Sequence, residues 1–152
     1  DVSESRGLGD VYKRQHLPSE ILTNLDNVEH NQPIYLKGIN FVSLCEHHLL
    51  PFTGLVNIAV YPNSKIAGVS KFSELVNILS NNLTLQESLT KNIAIEIQNA
   101  LNPKGVMVKI SANHMCSSLL NIENSQTEFE TTYSTGIYEI DHTLRNEAIL
   151  NF

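Results

Sequence analysis

Apolar and polar residues alternate along four stretches of this chain and recur at helical spacing in two others. Ile34 to Val42 interleaves Ile34, Leu36, Ile39 and Phe41 with polar residues such as Lys37, and Leu55 to Tyr61 sets Val56, Ile58 and Val60 against Leu55, Asn57, Ala59 and Tyr61. The two predict an antiparallel pair joined by a turn between Cys45 and Phe52. After the Pro62-Asn63-Ser64 turn, Ser70 is placed to cap a helix carrying Phe72, Leu75, Val76 and Leu79, which Asn81 and Asn82 close. Thr84-Leu85-Gln86-Glu87 has the form of a capping box. It opens a second helix with Leu85, Leu89, Ile93, Ile97 and Leu101 at every fourth position, stopped by Asn102-Pro103-Lys104-Gly105. Val106, Val108, Ile110 and Ala112 share one face of a third strand, and Thr127 to Tyr138 alternates as a fourth. Leu17 to Asn31 and Ser117 to Gln126 read as irregular, and Asp141 to Phe152 as a short terminal helix. The order ββααββ predicts an α+β domain, an antiparallel four-stranded sheet with two helices on one face.

A length of 152 residues with 41% hydrophobic content makes one domain with a real core. Ten Lys and Arg against sixteen Asp and Glu give a net charge of -6, which argues against nucleic acid or an anionic membrane as a partner. No apolar run approaches the roughly 20 residues of a membrane span, and no secretory signal pattern opens the chain. The expectation is a soluble, cytoplasmic protein. Asp1 to Gln15 has no apolar period and carries Gly7, Gly9, Arg6, Lys13 and Arg14. Asp10 to Gln15 back-translates as GAT GTG TAT AAG AGA CAG, which resembles a transposon end used in preparing sequencing libraries. Residues 1–15 are therefore expected to be non-native, with a single domain over 16–152 and a natural N-terminal part missing.

Chemistry concentrates in two clusters, Cys45-Glu46-His47-His48 and His114-Met115-Cys116, each at the end of an expected strand. Both cysteines of the chain lie here beside histidine, which suits metal ligation in a reducing compartment better than the alternative, a Cys45 to Cys116 disulfide. Cys45, His48 and Cys116 would give a zinc ion three protein ligands and leave a fourth position for water, as in catalytic zinc sites. Five candidate donors are present, so a closed structural site of four is the competing arrangement. The histidines left over, His47 and His114, are then available for acid-base work or for orienting a ligand through a hydrogen bond.

Five segments in order resemble the GTP cyclohydrolase I family: Ser43 to Phe52 (SLCEHHLLPF), Gly68 to Lys71 (GVSK), Leu85 to Thr90 (LQESLT), Ala100 to Val106 (ALNPKGV) and His114 to Cys116 (HMC). The resemblance is firm over Ile34 to Cys116 and weaker to Gly136. It implies a tunnelling fold (T-fold), in which subunits join their sheets into a barrel and two rings stack as a homodecamer. It also implies a reaction, GTP and water to formate and 7,8-dihydroneopterin triphosphate, serving folate, tetrahydrobiopterin or deazaguanine synthesis. Cys45, His48 and Cys116 match the zinc ligands, whose water attacks C8 of the purine. His114 matches the acid that protonates the imidazole ring of the purine, and His47 a histidine near the ribose. Gln86 and Glu87 match the pair at the guanine edge, and Ser70 and Lys71 match contacts to the ribose and triphosphate side.

Local roles compete at three of these positions. Glu87 is also the third helical residue of the capping box, Ser70 an ordinary N-cap, and Lys71 a lysine that solvent alone would explain. The chain also departs from the family, with Glu74 and Leu120 where arginines bind triphosphate. A carboxylate in place of a cationic clamp weakens the hold on a polyphosphate. Two alternatives follow: a divergent paralogue acting on a less phosphorylated purine, and a non-catalytic protein with a structural zinc. Other tunnelling-fold enzymes, such as a pterin aldolase or a deazaguanine reductase, match the paired clusters less well.

Overall fold

The computed structural model describes residues 21–22, 25–27, 29–120 and 127–152, so the expectation for 1–15 lies outside the described residues. Its elements are β1 (Leu25–Asn27), β2 (Ile34–Cys45), β3 (Pro51–Tyr61), β4 (Lys65–Ala67), α1 (Val69–Ser80), β5 (Leu83–Thr84), α2 (Gln86–Leu101), β6 (Gly105–His114), α3 (Met115–Leu120), β7 (Glu128–Gly136), α4 (Ile137–Ile140) and α5 (His142–Asn151). The four long strands and two long helices keep the expected order. The sheet differs from the expectation, being five-stranded and mixed, in the order β5-β2-β3-β6-β7. Its long strands are antiparallel neighbours, but β5 runs parallel to β2, pairing Leu44 with Leu83 and Cys45 with Thr84. A strand of two residues between helices is too short to show alternation, which is why the pattern missed it. A further pair, β1 with β4, falls partly in the stretch expected to be irregular.

Helices α1 and α2 share one core with the sheet. Phe72, Leu75, Val76, Leu89, Ile93 and Ile97 join Phe41, Phe52, Val56, Ile58, Val108 and Ile110 in a single buried cluster. The four-residue spacing read from the sequence is thus the buried stripe of α2. On the opposite face Ala59, Met107, Tyr138 and Ala148 form a second, smaller core under α4 and α5. Strands β3 and β6 are therefore covered on both faces along part of their length, and Ala59 and Met107 are buried although the alternation points them away from the main core.

Local capping departs from the expectation. The N-cap of α1 is Gly68, with Ser70 inside the helix, and the N-cap of α2 is Leu85, neither with a side-chain cap. The Thr84 hydroxyl donates instead to the Leu85 carbonyl at 3.1 Å. Thr84 is held in β5 by its pairing with Cys45, so it does not reach the helix end as a capping box requires. Ser117 and Ser118, expected in a loop, lie in α3.

The two strands that carry the chemistry to one end are locked by a close approach. Gly54 sits opposite Ala112 in the β3-β6 ladder, where a Cβ would collide with the Ser111 carbonyl and lie 2.7 Å from Ala112 Cα. Gly54→Ala is expected to destabilise the fold by about 1–3 kcal/mol through overpacking, measured as a lower urea midpoint with unchanged slope.

Candidate active site

Register brings the two chemical clusters to one rim of the sheet. Ser43 pairs with Phe52 and Phe52 with His114, while Cys45 pairs with Thr84, two residues before α2 begins. The ends of β2 and β6 and the start of α2 thus meet around Phe52. Between β2 and β3 the chain turns tightly: Cys45 N–H donates to the Leu50 carbonyl at 2.9 Å and Leu49 N–H to the Cys45 carbonyl at 2.8 Å. Leu49 takes a left-handed conformation (φ 54°) to close it, at a cost of about 1–2 kcal/mol for a residue with a Cβ. Cys45 is buried at the strand end, while His47 and His48 stand exposed on the turn with ring centroids 6.2 Å apart.

His114 is held on three sides. Its ring stacks on Phe52 at 4.6 Å and 2°, meets Phe129 edge-on at 5.7 Å, and places Nε2 2.8 Å from Gln86 Oε1. Burial pushes its pKa below the ordinary histidine value, and the carboxylate of Glu87 partly opposes this. A cavity of about 270 Å³ opens beside the ring, lined by His114, Cys116, Ser117, Thr127 and Phe129. The chemistry suits a planar heteroaromatic ligand, with apolar ring edges, an imidazole and a thiol on its walls. Glu87 is exposed on the first turn of α2, so its carboxylate is free of the helix-capping role considered from the sequence.

Gln86 occupies a different environment from its neighbour. It is 1% exposed, and its amide nitrogen lies within hydrogen-bond distance of Ile110 O, Phe129 O and Thr131 Oγ1 at 3.1, 2.9 and 3.1 Å. Ser70 and Lys71 lie on α1, away from this cluster, and among the described residues no hydrogen bond or ion pair joins them to it. Lys71 Nζ instead contacts Glu74 Oε2 at 2.9 Å.

Phe129, Thr131 and Thr90 were not singled out from the sequence as parts of the site. The alternation marks Phe129 and Thr131 only as one face of a strand, and nothing local shows that β7 will pair with β6 beside His114. Both cysteines are free, so the disulfide alternative is absent from the structure. Thiolates and imidazoles are donor types that suit zinc, and Cys45, His48 and Cys116 supply them at the same rim. Among the described residues, no three of His, Cys, Asp or Glu stand close enough together to hold an ion.

A match to the family described as GTP cyclohydrolase I spans residues 7–151. The chain belongs to that family. It is 47% identical over 119 residues to the GTP cyclohydrolase 1 of Rickettsia typhi, covering 78% of this chain and 62% of that protein. The Streptococcus pyogenes serotype M49 protein of the same name is 38% identical over 133 residues, covering 87% and 69%. The Homo sapiens protein is 37% identical over 136 residues, covering 89% and 54%. The chain spans about three fifths of the length of the Rickettsia relatives it matches, 62% and 61%. Among solved structures, the archaeosine synthase QueF-Like in the apo form aligns with a TM-score of 0.60 at 18% identity, over 71% of this chain and 97% of that one. That likeness shows a shared fold. No helix among the described residues is long and apolar enough to cross a membrane.

Thiol reactivity checks this arrangement. Cys116, half-buried on the first turn of α3, is expected to react with a disulfide reagent faster than Cys45, and denaturation without reductant is expected to release two titratable thiols.

Proposed function

We propose that this chain is the catalytic part of a zinc-dependent GTP cyclohydrolase I, converting GTP and water to formate and 7,8-dihydroneopterin triphosphate. Family membership supports the reaction class. The observation that carries the reading is the desolvated His114 imidazole, set beside a 270 Å³ cavity with Cys116 on its wall and the Glu87 carboxylate close by. Ring opening of a purine needs a group that moves a proton to and from ring nitrogen, and an imidazole whose pKa is shifted by burial is suited to it.

Cys45, His48 and Cys116 would hold the zinc. When bound, zinc supplies a water ligand whose pKa is lowered toward about 7. His114 holds and moves a proton, with Phe52 and Phe129 fixing the ring plane. The Glu87 carboxylate accepts from the N–H groups of the guanine edge. His47 lies on the exposed turn next to His48 and would act at the ribose, while Ser70 and Lys71 would meet the ribose and phosphate side. Because the site is distributed over sheet ends and α1, a homo-oligomer, a homodecamer in the proposed case, is the working form, and a cytoplasmic location fits the free thiols.

One observation favours a second reading, a less phosphorylated purine as substrate. Lys71, the cation proposed for the phosphate side, is already paired with Glu74 at 2.9 Å. Incoming phosphate must compete with that carboxylate.

The test is the fluorescence of oxidised neopterin after incubation of zinc-loaded protein, extended to its full natural length, with GTP. Product is expected, and His114→Ala is expected to lower kcat by about a hundredfold or more. Absence of product from wild type would remove the reading. Stripping zinc with a chelator is expected to abolish turnover, and readdition to restore it. Glu74→Gln is expected to lower KM for GTP by about twofold to fivefold, the size of an exposed ion pair, while leaving KM for guanosine unchanged. Faster turnover of GMP or guanosine than of GTP by wild type would establish the second reading.

A further inference from the structure

We propose that Gln86 is a positioning residue that holds His114 in a single tautomer, with hydrogen on Nε2, so that Nδ1 is the nitrogen through which the ring exchanges a proton with the substrate. The proposal rests on the reading of His114 as the proton carrier, but its deduction begins with two backbone oxygens. The amide nitrogen of Gln86 lies 3.1 Å from Ile110 O and 2.9 Å from Phe129 O. A carbonyl oxygen only accepts, so the side of the amide facing this pair is its NH2, and its oxygen faces His114. An amide oxygen only accepts as well. The ring nitrogen 2.8 Å away, Nε2, therefore carries the hydrogen.

The surrounding hydroxyls agree with this assignment. Thr90 Oγ1 donates to the Gln86 backbone carbonyl at 2.7 Å, so in the 2.7 Å contact between Thr90 and Thr131 the donor is Thr131. Thr131 Oγ1 then keeps a lone pair for the Gln86 amide at 3.1 Å. Turning the amide over would set its oxygen against two backbone carbonyl oxygens, with no hydrogen to share between them. Turning the imidazole over instead would put a carbon where Nε2 stands, and the parallel stack on Phe52 with Phe129 edge-on holds the ring plane.

Two consequences follow for the chemistry. Nε2–H stays on the ring throughout, donated to Gln86 in both the neutral and the cationic imidazole. The proton that travels is gained and lost at Nδ1, which has no partner among the described residues, and no bond at Gln86 forms or breaks. Gln86 then has no hydrogen left to donate to a ligand, because its NH2 is already turned to acceptors inside the protein.

The experiment reads ring nitrogens directly, by heteronuclear NMR of the full chain labelled with nitrogen-15 histidine. Wild type is expected to show His114 in its neutral form with Nε2 protonated and Nδ1 bare. Gln86→Met is expected to give a mixture of the two tautomers. Gln86→Glu keeps an acceptor beside the ring and is expected to restore the Nε2–H form. Thr131→Val, which removes one acceptor of the amide but leaves both carbonyls, is expected to leave the tautomer as in wild type. A wild-type ring protonated mainly at Nδ1 overturns the proposal, even if no variant folds. An unchanged tautomer population in Gln86→Met overturns it too. Absence of GTP turnover with the Nε2–H form present would remove the cyclohydrolase reading and leave this assignment standing.

Discussion

A primary amide buried without water must find partners for two hydrogens and a carbonyl oxygen, and the way Gln86 does so ties the site end of the protein together. Its nitrogen reaches backbone of β6 and β7, its oxygen reaches His114, and its own backbone carbonyl takes the Thr90 hydroxyl. Each of these groups left unsatisfied would cost about 1–3 kcal/mol, so the start of α2, the end of β6 and the middle of β7 are held to one mutual placement. The short strand β5 delivers α2 to that point. By pairing Thr84 with Cys45, it sets the helix start beside the first chemical cluster as well as the second.

The candidate site is unevenly built as a result. Around His114, a ladder register, two aromatic rings and the amide determine position and plane, and the cavity next to it is lined by His114, Cys116, Ser117, Thr127 and Phe129. The remaining candidate ligands differ in character. His48 sits on a turn that is exposed and closed by a left-handed Leu49, and Cys116 sits in the first turn of a short helix. The ring proposed to move a proton is held by strands and packed rings, and of the proposed metal donors Cys45 is buried in β2 while His48 lies on an exposed turn. Metal binding free energy is well suited to ordering such segments, since it is gained only when the ligands meet.

Charge follows the same division. Glu87 faces the His114 side, where its negative field supports a cationic imidazole against the cost of burial. Glu74 lies on α1 and neutralises Lys71 one turn away, an i, i+3 pair that any exposed helix would favour modestly. One carboxylate thus lies by the ring proposed to carry a proton, and the other reduces the cationic character of the helix proposed to meet phosphate.

What the sequence determined by itself was what hydrophobic period and residue identity at fixed spacing govern. Alternation located β2, β3, β6 and β7, the four-residue stripe located α2, and the Cys-His clusters fell at the ends of β2 and β6 as the pattern predicts. Five ordered segments pointed to the family, because residue identity at fixed spacing survives without knowledge of the contacts. Tertiary structure decided what depends on partners distant in the chain. The two-residue β5 forms only because β2 offers it an edge, and that pairing takes Thr84 away from the capping box its local pattern described. Gln86, equally plausible on the surface of a helix start, is buried because β6 and β7 close over it. Phe129 and Thr131 reach His114 and Gln86 only through the register of a ladder whose strands are separated in sequence by α3 and the segment that follows it. Hydrogen-bond partners of a buried polar group come from whichever backbone lies against it, and no local pattern contains that information.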